Sequence, residues 1–166
     1  MLSPWLVVAI ISMIPVVELR LAIPVGVLTG SVTIPLLGEF GGYGLSPWPV
    51  FLVCVITNFL VAVWLYPLLE FSKRFLVKRW HWFGRFYEKR VAKAQLKLKP
   101  KMDKYGWLGL AVFIGTPLPG TGVYTGTLAA YGLGMSHRKV LLASLLGVLL
   151  AGVAVLALTL GLNAIF

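Results

Sequence analysis

The chain of 166 residues is poor in the groups that give soluble proteins their solubility and much of their chemistry: five acidic residues, two histidines and one cysteine. The lone Cys54 excludes a disulfide within the chain and says nothing about redox compartment. No metal-ligand cluster, catalytic triad or nucleotide-binding loop can be assembled from so few groups, so no metal, cofactor or enzymatic activity is expected. Charged residues make up 12% and apolar ones 59%, where a soluble domain has about 25% and 45–50%. With a mean hydropathy of +0.92, the excess cannot be hidden in one small domain, whose surface is too large for its volume. A lipid bilayer is the solvent that remains. The N-terminus does not read as a cleaved secretory signal, since no basic stretch precedes residues 6–17 and Val16-Val17-Glu18 is a poor cleavage site.

The net charge of +10 is confined to one segment. Twelve of the fifteen Lys and Arg lie between Lys73 and Lys104, opposed only by Glu88 and Asp103. Basic loops stay in the cytoplasm, which orients the chain around residues 71–104. Within them Phe75, Leu76, Trp80, Phe83, Tyr87 and Val91 recur at helical spacing, while Arg74, Lys78, Arg85, Lys89 and Lys93 take another face. That pattern predicts an amphipathic helix on the inner leaflet, its bases on anionic lipid headgroups. A solvated connector that only sets topology is the plainer reading. Nucleic acid is not an expected partner, because no nucleic-acid module is present.

Two apolar runs, 47–69 and 140–164, reach the ~20 residues that a spanning helix needs. Others are short or broken: residues 4–17, interrupted by Glu18 and Arg20, then 21–37 with Pro24, Gly26, Gly30 and Pro35; and residues 107–116, broken by Pro117 to Gly122, then 123–134. Runs this short are re-entrant more often than spanning. If 105–134 crossed once, Arg138 and Lys139 would lie outside, against the positive-inside bias; re-entry keeps both flanks cytoplasmic. The first broken segment then enters and returns from outside, which leaves both termini outside. The expected fold is all-α: an inverted repeat of re-entrant helical hairpin plus transmembrane helix. Repeat one is 1–70, repeat two is 105–166, and the basic amphipathic helix 71–104 joins them in one membrane domain. Inverted repeats with discontinuous helices meeting at the midplane are a transporter architecture.

Glu18 and Arg20 are the charges expected deep in the membrane, where ionisable groups mark function. They either handle substrate or protons, or form a clasp that pins the tip. Thr116, Pro117, Pro119, Gly120, Thr121 and Gly122 form the second tip: prolines stop one half-helix, glycines turn the chain, and the next half-helix presents free N–H groups as an anion site. Gly126, Ala130 and Gly134 continue from Gly122 as a small-residue ridge for helix packing, with Gly26 and Gly30 a shorter one. Asn58 and Thr57 are weaker polar candidates, and His137 reads as topological.

Glu18-Leu19-Arg20 with Ala22-Ile23-Pro24-Val25-Gly26, together with Phe113-Ile114-Gly115-Thr116-Pro117-Leu118-Pro119-Gly120-Thr121-Gly122, resembles the prokaryotic small multidrug export protein family over nearly the whole chain. That family is similar in layout to the DedA superfamily, whose members are implicated in moving lipids and the polyprenyl-phosphate carrier through membrane acidic and arginine residues. The resemblance implies a prokaryotic plasma (inner) membrane location and assigns those roles to Glu18 and Arg20. The leading expectation is translocation of an anionic amphiphile, a lipid phosphate or polyprenyl-phosphate carrier, with proton coupling through Glu18. Proton-coupled export of lipophilic cations is the alternative, disfavoured by Arg20 beside the acid. A non-transporting scaffold is the third. Two full spans are slight for a pathway, so a homodimer is expected.

Overall fold

The computed structural model describes residues 3–34, 38–79, 106–118 and 121–165. Two long helices frame it: α3 (Pro47–Arg79) and, near the C-terminus, α6 (His137–Ile165). Their segments Pro47–Lys73 and His137–Gly161 are long and apolar enough to cross a membrane. Only 28% of the most apolar window of α3 and 50% of that of α6 is buried within the protein. A core helix of a soluble protein hides such surface. Here Leu52, Ile56, Leu60, Trp64 and Leu68 form an exposed row down α3, as a lipid-facing helix requires.

Four half-length helices pack on this frame: α1 (Pro4–Met13), α2 (Glu18–Val27), α4 (Gly106–Gly115) and α5 (Val123–Gly132). Each is about 15 Å long, half the ~30 Å hydrocarbon thickness. Their ends are written locally. Ser3 caps α1 by accepting the Leu6 N–H at 3.3 Å, with Pro4 in the first turn. Pro15 then forces Ile14 into extended backbone (φ −73°, ψ 128°) and stops the helix. α4 likewise ends at Gly115, two residues before Pro117. Past α5, Gly134 (φ 76°) closes a Schellman turn, its N–H donating to Tyr131 O and that of Met135 to Ala130 O, each at 3.0 Å.

Helices dominate, but the return segment expected over 21–37 is helical only to Val27, and residues 38–43, expected as loop, pair with 29–34. They form an antiparallel ribbon of β1 (Thr29–Ile34) and β2 (Gly38–Tyr43), with Thr29 opposite Tyr43 and Ile34 opposite Gly38. Thr29, Val32, Thr33 and Ile34 are β-branched and disfavour a helix. The basic segment also begins differently: α3 runs unbroken through residues 71–79, so Arg74 and Lys78 fall on its last turns rather than on a separate helix. Arg85, Lys89 and Lys93 lie outside the described residues.

The core is built where small residues let backbones meet. A Cβ on Gly26 would lie 2.7 Å from Val50 Cγ1, and one on Gly126 would lie 2.6 Å from Ile114 Cγ1. Ala130 is also buried. Gly30 and Gly134 are corrections to the packing ridges. Gly30 sits in β1 at φ 103° with open space where a side chain would go, and Gly134 is the exposed turn residue after α5. Two contacts went unread in the sequence: Gly147, where a Cβ would lie 2.6 Å from Ile114 Cβ, and Gly152, 2.7 Å from Phe51. They bring α6 against α4 and α3.

Candidate functional site

The two helix breaks meet inside the bundle. At the first, Val16 and Glu18 take positive φ (75° and 51°). A β-branched residue there is strained, and such strain collects at functional sites. The turn lifts Glu18 to the start of α2, where the residue is 4% exposed. Its carboxylate faces the first turn of α5: the Tyr124 N–H lies 3.4 Å from Oε1, and the Val123 amide and the Asn58 side chain adjoin it. The anion at this helix N-terminus is therefore Glu18 itself, in the place the sequence reading left open for a ligand.

Arg20, two residues further, reaches over the second break. Its Nη1 donates to Thr121 O, and Nη2 donates to Thr116 O at 2.8 Å and to Thr121 Oγ1 at 3.0 Å. Thr116 O, just past the end of α4, thus accepts from the other half of the chain as well as from the Leu118 N–H at 2.9 Å and the Thr121 hydroxyl at 2.7 Å. Nη1 also lies 3.9 Å from Glu18 Oε2, so the two charges partly compensate each other. Pro24 follows Arg20 by four residues and has no N–H for its carbonyl, which loosens α2 beside the guanidinium.

Thr116, Pro117, Thr121 and Gly122 therefore stand against Glu18 and Arg20; Pro119 and Gly120 lie outside the described residues. Gly122 (φ 147°) is indispensable here, because a Cβ would fall 2.5 and 2.7 Å from the two Glu18 carboxylate oxygens. Three further contacts pin the first tip. The Tyr124 hydroxyl donates to Met13 O at 2.5 Å, the Asn58 amide donates to Ser12 O at 3.0 Å, and the Ser12 and Thr57 hydroxyls pair. Of these four residues, only Asn58 and Thr57 had drawn notice in the sequence. Tyr124 and Ser12 carry no local signal, being ordinary members of apolar runs.

Beside Arg20 opens a pocket of about 230 Å³ lined by Arg20, Pro24, Leu28, Pro117, Val155, Leu158 and Thr159. Arg20 is its one charged wall. The Arg20 Nε is buried and has no hydrogen-bond partner among the described residues.

With this geometry in view, comparison adds one relation. The family described as "Putative small multi-drug export protein" matches residues 18–154, from Glu18 through both breaks and into α6. No curated protein and no solved structure matches the chain.

Proposed function

The chain belongs to the small multi-drug export protein family, and we propose that it is a transporter moving anionic amphiphiles of the lipid-phosphate class, the polyprenyl-phosphate carrier included. The observation that carries this reading is the pocket beside Arg20. Its walls are apolar apart from Arg20 and Thr159, and its volume is about 230 Å³. Sites that enclose a drug-sized ligand hold roughly 300–1,000 Å³. This one is sized for a headgroup, leaving the tail in lipid, and a guanidinium with a spare N–H suits a phosphate oxygen.

Glu18 is the natural coupling group. A substrate phosphate and the Glu18 carboxylate compete for Arg20, so protonating Glu18 frees the guanidinium and favours the anion. Binding a proton and binding the anion then promote each other, as linkage requires. A lipophilic cation gains nothing from this arrangement, because Glu18 is turned to the α5 amides and Arg20 lines the pocket.

The proposed scaffold is an inverted repeat in which α1–α2 re-enters from outside and α4–α5 from the cytoplasm. Reciprocal packing supports it. α1 rests on α3 as α4 rests on α6, and α2 crosses to α6 as α5 crosses to α3. The basic segment is then cytoplasmic, both termini are outside, the bases beyond residue 73 contact inner-leaflet lipid, and the exposed row on α3 offers a homodimer surface.

The test is flux in liposomes containing a labelled lipid phosphate or, in parallel, a cationic dye under a pH gradient. Lipid-phosphate exchange is expected in the wild type, with loss in Arg20→Ala and in Leu158→Trp, which fills the pocket without touching the clasp. Dye export abolished by Glu18→Gln, without lipid exchange, overturns the proposal in favour of cation export. Lipid binding without any flux overturns it in favour of a scaffold.

A further inference from the structure

A set of buried polar atoms between the basic end of the bundle and Glu18 is left over by the contacts of the clasp. Asn58 on α3, Thr127 on α5 and Ser144 on α6 are each wholly buried. Asn58 Oδ1, Thr127 Oγ1 and Ser144 Oγ have no hydrogen-bond partner among the described residues, nor does the buried His137 Nε2. The hydroxyls are the telling members. Elsewhere in these helices hydroxyls satisfy themselves by donating one turn back: Thr57 to Val53 O at 2.7 Å, Ser72 to Leu68 O at 2.7 Å, Thr116 to Val112 O at 2.7 Å and Thr159 to Val155 O at 2.8 Å. Thr127 and Ser144 forgo that bond. A buried polar atom without a partner is costly, and buried water commonly bridges such groups.

Helical rise orders these groups by depth. His137 stacks on Tyr66, with ring centroids 4.6 Å apart and planes 9° apart, and Tyr131 meets Tyr66 edge-on at 5.4 Å. This aromatic cluster sits where α5 ends and α6 begins. From Tyr131, Thr127 lies four residues or about 6 Å deeper. From His137, Ser144 lies seven residues or about 10 Å deeper, and from Tyr66, Asn58 lies eight residues or about 12 Å deeper. Asn58 adjoins the Glu18 carboxylate. The helices α3, α5 and α6 pack against one another, and each of the three side chains is buried between helices.

We infer that the interior between these helices is a water-lined proton path from the basic end of the bundle to Glu18, with Thr127, Ser144 and Asn58 as its relay groups and the Tyr66–His137 stack at its mouth. A hydroxyl that both donates and accepts can pass a proton along a water chain, and so can water held by the Asn58 carbonyl. The path ends at Glu18, whose carboxylate is faced by Arg20 from α2, by Asn58 from α3, and by the Val123 and Tyr124 amides from α5. Tyr124 is the other titratable group at that end, its hydroxyl turned away to Met13 O. Protons thus arrive from one side of the membrane, while the pocket beside Arg20 lies on the other side of the clasp. The path rests on the proton-coupled reading above, yet water access to it is measurable without transport.

In a Cys54→Ala background, Thr127→Cys and Ser144→Cys are placed in proteoliposomes of known sidedness and exposed to a charged, impermeant methanethiosulfonate. Leu142→Cys, on the exposed face of α6, gives the baseline in lipid. Reaction from the basic-end side is expected at least tenfold faster than from the other side and than at Leu142→Cys. These rates are read without substrate, so failure of the substrate reading does not alter them. Failure of both cysteines to react, or equal reaction from both sides, overturns the path. In pyranine-loaded vesicles, proton flux should fall at least tenfold in Thr127→Val and in Ser144→Ala, with binding of an alkyl sulfonate at Arg20 intact. Undiminished flux in both variants also overturns it.

Discussion

Gly122 exists as glycine because Glu18 occupies its side-chain space: a Cβ there would fall 2.5 Å from Oε2 and 2.7 Å from Oε1. Glycine at 122 thus answers both to its φ of 147° and to a carboxylate more than a hundred positions away, and the clasp depends on both residues.

Gly122→Ala should therefore displace the carboxylate from the α5 amides and also strain a backbone held at φ 147°. The expected loss is about 2–3 kcal/mol, the range for a strained backbone plus a lost helix cap. Thermal unfolding in detergent micelles reads it. Gly132→Ala, with nothing within 4 Å of the added methyl, is the control and should hold stability or raise it slightly. Equal behaviour of the two variants contradicts the clasp.

Arg20→Lys tests the fork as opposed to the charge. An ammonium cannot span Thr116 O and the Thr121 oxygens as the guanidinium does. Stability should fall by about 1–2 kcal/mol, and lipid-phosphate exchange by at least tenfold. Wild-type exchange in this variant means that charge alone suffices.

Val16→Gly should stabilise the protein. Val16 sits at φ 75° and is largely exposed, so the substitution relieves left-handed strain with little loss of packing. The gain should be about 0.5–1 kcal/mol after the unfolded-state cost of glycine. A loss of stability argues that the valine side chain is needed at the tip.

The sign of pH dependence follows from the competition for Arg20. As pH falls, Glu18 takes up a proton, Arg20 loses its counter-ion, and an anion binds more tightly. An alkyl sulfonate, whose own charge does not titrate, should show affinity rising toward low pH. In Glu18→Gln binding should be tight and flat with pH. A flat wild-type curve dissociates Glu18 from the anion site.

Topology separates re-entry from crossing. Single cysteines at Ser3 and Ser46, both exposed, should be labelled from the same side, and one at exposed Ser136 from the opposite side. Labelling of Ser3 and Ser46 from opposite sides makes α1–α2 a crossing and removes the repeat.

The second break was legible in the sequence because Pro117 and the glycines after it are local signals, and Glu18 and Arg20 marked the first against an apolar background; Pro15, which ends α1, went unread. What Glu18 and Arg20 bind was not legible. The partners of Arg20 are chiefly backbone carbonyls 96 and 101 residues away, and a carbonyl has no residue type to read. The same holds for the α5 amides that receive Glu18. The glycines at 30 and 134 matched a packing spacing but serve backbone conformation, since spacing does not reveal φ. Gly147 was missed for the converse reason, lying in a uniformly apolar run where only the approach of Ile114 singles it out. The ribbon over 29–43 was missed because 21–37 was read as one run, although Thr29, Val32, Thr33 and Ile34 carry a strand signal.

Arg20's bonds to Thr116 and Thr121 also bear on how the chain is made. Synthesis delivers the first tip long before the second, so Glu18 and Arg20 reach the membrane with neither the α5 amides nor the Thr116 carbonyl yet in existence. The early half must wait in the translocation machinery or near the lipid surface, two charges short of a stable seat. Completion comes when the late half arrives and each finishes the other's broken helix. The clasp can therefore form only once both halves of the chain have been made.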